Sequence, residues 1–249
     1  MQGDFRLATL IETQHLDLRP VAESRYLYYI EKRVLDIFIS IIALIVLIPV
    51  IALAAIMIKL DSPGPIIFTQ ERVGSRRRIY NHRTYWQKVT FRCYKFRTMV
   101  SNADPSLHKS YIKALINNDC QGMSELQGEN TNIRKLAHDP RITRIGKFLR
   151  KCSIDEIPQF INVIKGEMSL VGPRPAIHYE VDMYKPWHYR RLETQPGITG
   201  LWQVTARSTA SFDEMINIDI QYIKQQSFWL DLLIILKTPL AVLSCKGAK

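Results

Sequence analysis

Two adjacent carboxylates sit in the run Arg150-Lys151-Cys152-Ser153-Ile154-Asp155-Glu156-Ile157-Pro158-Gln159, and a further arginine follows in Gly172-Pro173-Arg174-Pro175. A carboxylate kept ionised by nearby guanidinium groups can bind a divalent cation or attack phosphorus. Arg150 and Arg174 can each hold phosphate oxygens in bidentate fashion, and the flanking prolines limit the backbone from which Arg174 reaches out. A plainer reading fits the same residues. Ser153 to Glu156 matches the S-x-x-E capping box, and Asp155 can itself be an N-cap. The positive end of a helix would in turn favour an ionised Asp155, so local pattern leaves capping and catalysis both open.

Other constellations carry less. Asp213-Glu214 follows Ser211 in a second S-x-x-E box, with Arg207 its only near neighbour of opposite sign, and reads as a cap. Cys152 lies near the carboxylates but has no adjacent histidine to activate it, and His138 and His178 stand alone. The chain has neither a G-x-x-x-x-G-K-[ST] phosphate loop nor a G-x-G-x-x-G turn, so a nucleotide would be held by side chains and irregular loops. Cys93, Cys120, Cys152 and Cys245 are too scattered for a zinc site or a disulfide framework, which fits a reducing compartment. The net charge of +11 points to anionic partners: phospholipid headgroups, phosphorylated substrates or nucleic acid.

The elements that must position these residues begin with a membrane segment. Ile37 to Ile58 carry no charge and are interrupted only by Ser40 and Pro49, with Lys32, Arg33 and Lys59 at the flanks. The segment is long enough to cross a bilayer core of roughly 30 Å, but Pro49 breaks or kinks it near its middle. Basic residues on both sides favour the cytoplasmic face at both ends, so a re-entrant hairpin is preferred to a kinked span. A cleaved signal peptide fits poorly, because the run starts late and lacks a clear small-residue cleavage site. The organisation expected is a surface lead-in over 1–31, with Tyr26, Tyr28 and Tyr29 at headgroup level, a re-entrant helix over 32–60 and a catalytic domain over 61–249.

Within that domain Asp61-Ser62-Pro63-Gly64-Pro65 is a turn. Ile66 to Gln70 and Val89 to Phe96 read as strands joined by a long basic connection, 75–88, in which Arg76, Arg77 and Arg78 form a solvated or lipid-facing loop. Residues 101–138 read as a polar variable insertion, loop-like from Gln121 to Asn132. Ile142, Ile145, Phe148 and Leu149 recur at helical spacing, and a second helix is expected from about Ser153 to Lys165, stopped by Gly166. Phe228 to Leu243 is expected to be an interfacial helix, with an ordinary core helix as the alternative. The fold class expected is α+β.

Five motifs in order complete the reading: Lys95-Phe96-Arg97-Thr98-Met99, Asp139 to Gly146, Ser153 to Gln159, Asn162 to Pro175, and Pro196 to Val204. In this order they resemble the bacterial sugar transferases, the monotopic phosphoglycosyl transferases, over Lys32 to about Ala248. The resemblance implies a membrane helix broken at Pro49 and an Asp155-Glu156 dyad on the cytoplasmic face of the bacterial inner membrane. It implies that Asp155 attacks the β-phosphate of a UDP-sugar with Mg²⁺, which Asp155 also ligates, and that UMP leaves. Undecaprenyl phosphate then takes the phosphosugar, starting a surface polysaccharide or glycoconjugate. Glu156 would assist, and Arg150 and Arg174 would handle phosphates, with Lys95, Arg97 and Arg207 as further phosphate-binding candidates. The partners implied are UDP-sugar, undecaprenyl phosphate and membrane lipids, and no nucleic acid; self-association into a homo-oligomer is left open. Two departures stand out: Ile48 replaces a serine common before the membrane proline, and the Gly74 to Lys95 segment is longer than in compact relatives. The rival classes are a membrane-anchored, non-enzymatic binder of nucleic acid or acidic lipid, whose affinity would fall steeply with salt, and a glycosyltransferase that releases UDP.

Overall fold

The computed structural model describes residues 20–21, 25–80, 83–100, 104–127, 139–206 and 210–243. Arg207, His138, Cys245 and most of the expected lead-in lie outside the described residues. In chain order the elements are β1 (Pro20–Val21), α1 (Tyr26–Val46), α2 (Ile48–Asp61), β2 (Ile67–Tyr80), β3 (Arg83–Phe96), α3 (Ser106–Ile116) and α4 (Cys120–Gln127). There follow α5 (Arg144–Lys151), a 3₁₀ turn (Ile154–Glu156), α6 (Gln159–Lys165), β4 (Ser169–Val171), α7 (His178–Val181) and a 3₁₀ turn (Pro186–Leu192). The chain continues through β5 (Gly197–Thr199), α8 (Leu201–Thr205), α9 (Phe212–Gln225) and α10 (Phe228–Leu243). Helices and two small sheets are mixed along the chain, which is compatible with α+β.

Helices α1 and α2 meet at Leu47 with a bend of 61°. Pro49 lies in the first turn of α2, where its missing N–H would have had no helical acceptor of its own, so it starts the second helix. The break strands little backbone: Leu47 N–H donates to the Ala43 carbonyl at 2.9 Å, and the Leu47 carbonyl accepts from Ile51 N–H at 2.8 Å. Among the described residues no single helix is long and apolar enough to cross a membrane, whereas the bent pair together meets that length and composition. Phe38, Ile45, Val46, Ile48, Leu53 and Ile56 are all largely exposed.

Both arms of this pair are tied to the same domain. At the start of α1, Arg25 donates to the Ile223 and Lys224 carbonyls in the last turn of α9. One helical stretch later, Arg33 donates to the Val163 and Ile164 carbonyls near the end of α6. Between them Lys32 is buried, donating to Asp231 Oδ2 at 2.6 Å, the Val171 carbonyl at 2.9 Å and Tyr222 Oη at 3.3 Å. Asp36 accepts from Leu170 N–H and Ser169 Oγ–H. At the end of α2, Arg97 donates to the carbonyls of Ile58, Ser62 and Pro63, and Asp61 accepts from Ile145 N–H at the start of α5. Lys32 and Arg33, which read in the sequence as topology signals, are thus also structural ties.

The hairpin β2–β3 pairs from Ile67 with Phe96 to Tyr80 with Arg83, and β1 adds to the other edge of β3. The expected long connection over 75–88 is thus strand wherever it is described, because Tyr85, Trp86 and Val89 suit a pleated, half-buried surface. Arg77 is not a free loop cation: its guanidinium lies 4.8 Å from the Tyr29 ring centroid, and Trp86 packs edge-on against the same ring. Residues 106–116 and 120–127 are helical, and Tyr111, Ala114 and Ile116 of α3 are buried, so the loop expected at 121–127 is corrected to helix. Gly166 does end α6, in the left-handed conformation at φ 76°. Helix α10 has two faces: Asp231 and Ile234 face the core, while Trp229, Leu233, Leu236 and Leu240 stay exposed.

Candidate active site

Asp155 and Glu156 lie in the 3₁₀ turn between α5 and α6. Ser153, which leads into it, is left-handed at φ 56° and its side chain caps nothing, so the expected capping box does not form. Helix α6 starts only at Gln159, after Pro158, and has no side-chain N-cap. Neither carboxylate is a cap. A non-glycine residue held in this conformation beside two acidic groups carries a local cost that the surrounding packing must sustain.

Three elements bring cations to the pair. Lys95, near the end of β3, places Nζ 2.7 Å from Glu156 Oε1 and 4.0 Å from Asp155 Oδ2. Arg174 follows β4, and its Nη1 is 3.1 Å from the same Glu156 oxygen. The segment carrying it is fixed by Gly172 N–H to the Thr199 carbonyl and Gly197 N–H to the Pro173 carbonyl. Arg150 comes from the last turn of α5, where its Nε donates to Thr98 Oγ1 at 2.8 Å. That approach depends on Gly146, because a Cβ there would lie 2.1 Å from the Thr98 carbonyl oxygen.

The two carboxylates behave in opposite ways. Burial alone would raise both. For Glu156 the charges of Lys95 and Arg174, and their hydrogen bonds, outweigh burial and hold it well below the ordinary range. Asp155 is 8% exposed and burial keeps it above the ordinary range; the Glu156 charge adds to this, while Lys95 and Arg150 oppose it. Glu156 is thus a fixed anion, already paired. Asp155 has no hydrogen bond among the described residues, yet its side chain keeps some access to solvent. A desolvated carboxylate with free lone pairs can bind a cation or act as a nucleophile.

The structure brings Asp155, Glu156, Lys95 and Arg174 together, with Arg150 close enough to act on Asp155 electrostatically. Arg97 is not among them: it is 5% exposed, and both terminal nitrogens of its guanidinium donate to the end of α2 and the turn after it. Pro49 acts only in the helix break. Asp213 pairs with Lys185 and His188, and Ser211 and Glu214 form the expected capping box, so this second acidic pair is structural. Thr98, which orients Arg150, was missed by the sequence reading, as were Arg72 and Gln159 in the cleft beside Lys95 and Arg174. Once β2 and β3 pair, Gln70–Cys93 and Phe68–Lys95 put Arg72 on the face that carries Lys95, a relation that only the pairing register supplies.

The family model described as bacterial sugar transferase matches residues 27–245. The chain belongs to the bacterial sugar transferase family. It is 44% identical to a protein named galactosyl transferase CpsE from Streptococcus agalactiae, over 90% of this chain and 45% of that one. The exopolysaccharide production protein ExoY of Sinorhizobium fredii is 36% identical, over 88% of each chain. An undecaprenyl-phosphate galactose phosphotransferase of Salmonella typhimurium is 38% identical, over 87% of this chain and 41% of the other. The chain therefore spans less than half of two of these relatives and most of the third.

Opposite shifts in neighbouring carboxylates predict opposite effects on stability. A folded pKa raised above the unfolded value means that stability falls as pH rises through that interval, so ionised Asp155 is destabilising at pH 7. Asp155→Asn should melt above the wild type at that pH. Glu156 has a depressed folded pKa, and its stabilisation is present at neutral pH and lost only on strong acidification. Glu156→Gln should cost about 1–3 kcal/mol, less than a fully enclosed pair because the cleft admits water. Thermal melts of both variants in nanodiscs at pH 7 check the two signs.

Proposed function

We propose that the chain transfers a sugar 1-phosphate from a UDP-sugar to undecaprenyl phosphate through a covalent intermediate on Asp155. The observation that supports this most is the asymmetry of the dyad: Glu156 neutralised by Lys95 and Arg174, and Asp155 buried and free of hydrogen bonds among the described residues. The name of the Salmonella typhimurium relative, an undecaprenyl-phosphate galactose phosphotransferase, supports the transfer of a phosphosugar to undecaprenyl phosphate.

In the first step an Asp155 carboxylate oxygen attacks the β-phosphorus of the UDP-sugar. The O–P bond to Asp155 forms as the bond from the β-phosphorus to the bridging oxygen breaks, and UMP leaves with that electron pair. In the second step a phosphate oxygen of the polyprenyl phosphate attacks the same phosphorus, and the bond to Asp155 breaks, which regenerates the carboxylate. Lys95, Arg150 and Arg174 meet the negative charge that builds on the phosphoryl oxygens, and Glu156 holds Lys95 and Arg174 in place for it.

Magnesium fits this site. Among the described residues no three His, Cys, Asp or Glu side chains cluster to form an all-protein cage. One free carboxylate beside a place for phosphates is instead the donor set that Mg²⁺ commonly shares with water and substrate. Asp155 would hold the ion, which when bound screens the repulsion between carboxylate and diphosphate.

The bent helix pair then enters and leaves the membrane by the cytoplasmic leaflet. Support comes from the ties of Arg25, Lys32 and Arg33 at one end and Arg97 and Asp61 at the other, which hold both ends to one domain. The exposed face of α10 would rest in the same leaflet.

Two outcomes follow. Asp155→Asn should lower UMP release from a UDP-sugar by at least about 10³, roughly 4 kcal/mol of barrier, and EDTA should abolish wild-type turnover until Mg²⁺ is restored; UDP as the product would contradict the reaction type. For topology, Glu31→Cys and Pro63→Cys in a cysteine-free variant should both react with a membrane-impermeant reagent from the cytoplasmic side, and reaction from opposite sides would rule out the hairpin.

A further inference from the structure

Beside the dyad lies a cleft of whose polar lining the chemistry above uses only Lys95 and Arg174. Arg72, Cys93, Lys95, Gln159 and Arg174 face it. Arg72 presents five N–H donors, of which Nη1 donates to the Pro175 carbonyl at 3.0 Å and Nη2 to Gln70 Oε1 at 2.6 Å; Nε has no partner among the described residues. No carboxylate lies within ion-pair distance of Arg72 among the described residues, although burial and then the neighbouring Arg174 both disfavour its charge. A largely buried guanidinium beside another, with no anion of its own, is costly unless an anion arrives.

Gln159 is the second, independent sign. It is 3% exposed at the start of α6, and its side-chain amide has no hydrogen-bond partner among the described residues. The amide atoms are not among the sealed polar atoms left without a partner, so they keep contact with the cleft that Gln159 lines and are open to a ligand there. Cys93 supplies no anion there, since burial keeps its thiol protonated.

We infer that Arg72 and Gln159 are substrate-contact residues which, with Lys95 and Arg174, grip phosphate oxygens in this cleft. The inference rests on the proposed function. Two substrates carry the required chemistry: the diphosphate of the nucleotide sugar and the phosphomonoester of the lipid acceptor. The Arg72 fork reaches the cleft from the hairpin face and Gln159 from the helix start, so a phosphate held between them would sit next to the phosphorus that Asp155 attacks.

The test uses the full chain in nanodiscs, as wild type, Arg72→Lys and Gln159→Leu. Arg72→Lys keeps the charge and loses the fork; Gln159→Leu removes the amide without adding charge. Each half-reaction is followed separately: UMP release from UDP-sugar alone, and transfer from the preformed adduct to undecaprenyl phosphate. Losing a hydrogen bond to a charged group should raise the half-saturating concentration about tenfold in one half-reaction. A rise in the first assigns the cleft to the donor diphosphate, and a rise in the second to the acceptor phosphate. Gln159→Leu should melt close to the wild type, because the amide makes no hydrogen bond among the described residues that the folded chain would lose, so it remains informative even if Arg72→Lys folds poorly. Unchanged half-saturation in both half-reactions for folded Gln159→Leu, with wild type still releasing UMP, would overturn the inference and leave the proposed function intact. Wild type that releases no UMP would instead remove the reading beneath it.

Discussion

The buried contact between Lys32 and Asp231 organises this molecule. An ammonium withdrawn from water is tolerable only when every donor is met, and Lys32 meets the Asp231 carboxylate, the Val171 carbonyl and the Tyr222 hydroxyl. Tyr28 and Tyr222 in turn donate to the two oxygens of Asp231. The network joins α1, α9, α10 and the end of β4. Because Val171 ends β4 and the chain passes directly to Gly172, Pro173 and Arg174, the tie that seats the apolar helix pair also sets where the phosphate-handling arginine emerges.

The dyad depends on that placement. Arg174 and Lys95 arrive from separate elements and converge on one oxygen of Glu156. That convergence uses up the charge of Glu156 and leaves Asp155 desolvated, close to cations but bonded to none among the described residues. Stability is given up at Asp155 and recovered at Glu156, a division common at sites built for reaction.

Much of this was legible in the sequence, and the failures have physical causes. Pro49, Gly166 and the Ser211 box punctuate the backbone through local geometry, so local pattern placed them. Ser153 misled, because an S-x-x-E string encodes a capping box only when the serine is extended, and here tertiary packing holds it left-handed. The 75–88 segment was misread because its basic residues hide a pairing register that continues to Tyr80 and Arg83. Arg97 looked like a site residue beside Lys95, yet it ties down the end of α2: β3 stops at Phe96, so the alternation that would have kept Arg97 on the Lys95 face no longer governs it. Arg72 and Gln159 were invisible for the converse reason: their relation to the dyad exists only once hairpin and helix meet.

The account turns on whether Asp155 itself takes the phosphosugar. The most direct measurement is mass spectrometry of the wild-type chain after incubation with UDP-sugar and Mg²⁺ in the absence of lipid acceptor. The account predicts a mass increase equal to one sugar phosphate, mapped to the peptide containing Asp155 and discharged when undecaprenyl phosphate is added. An unmodified Asp155 in enzyme that turns over normally once acceptor is supplied would contradict it.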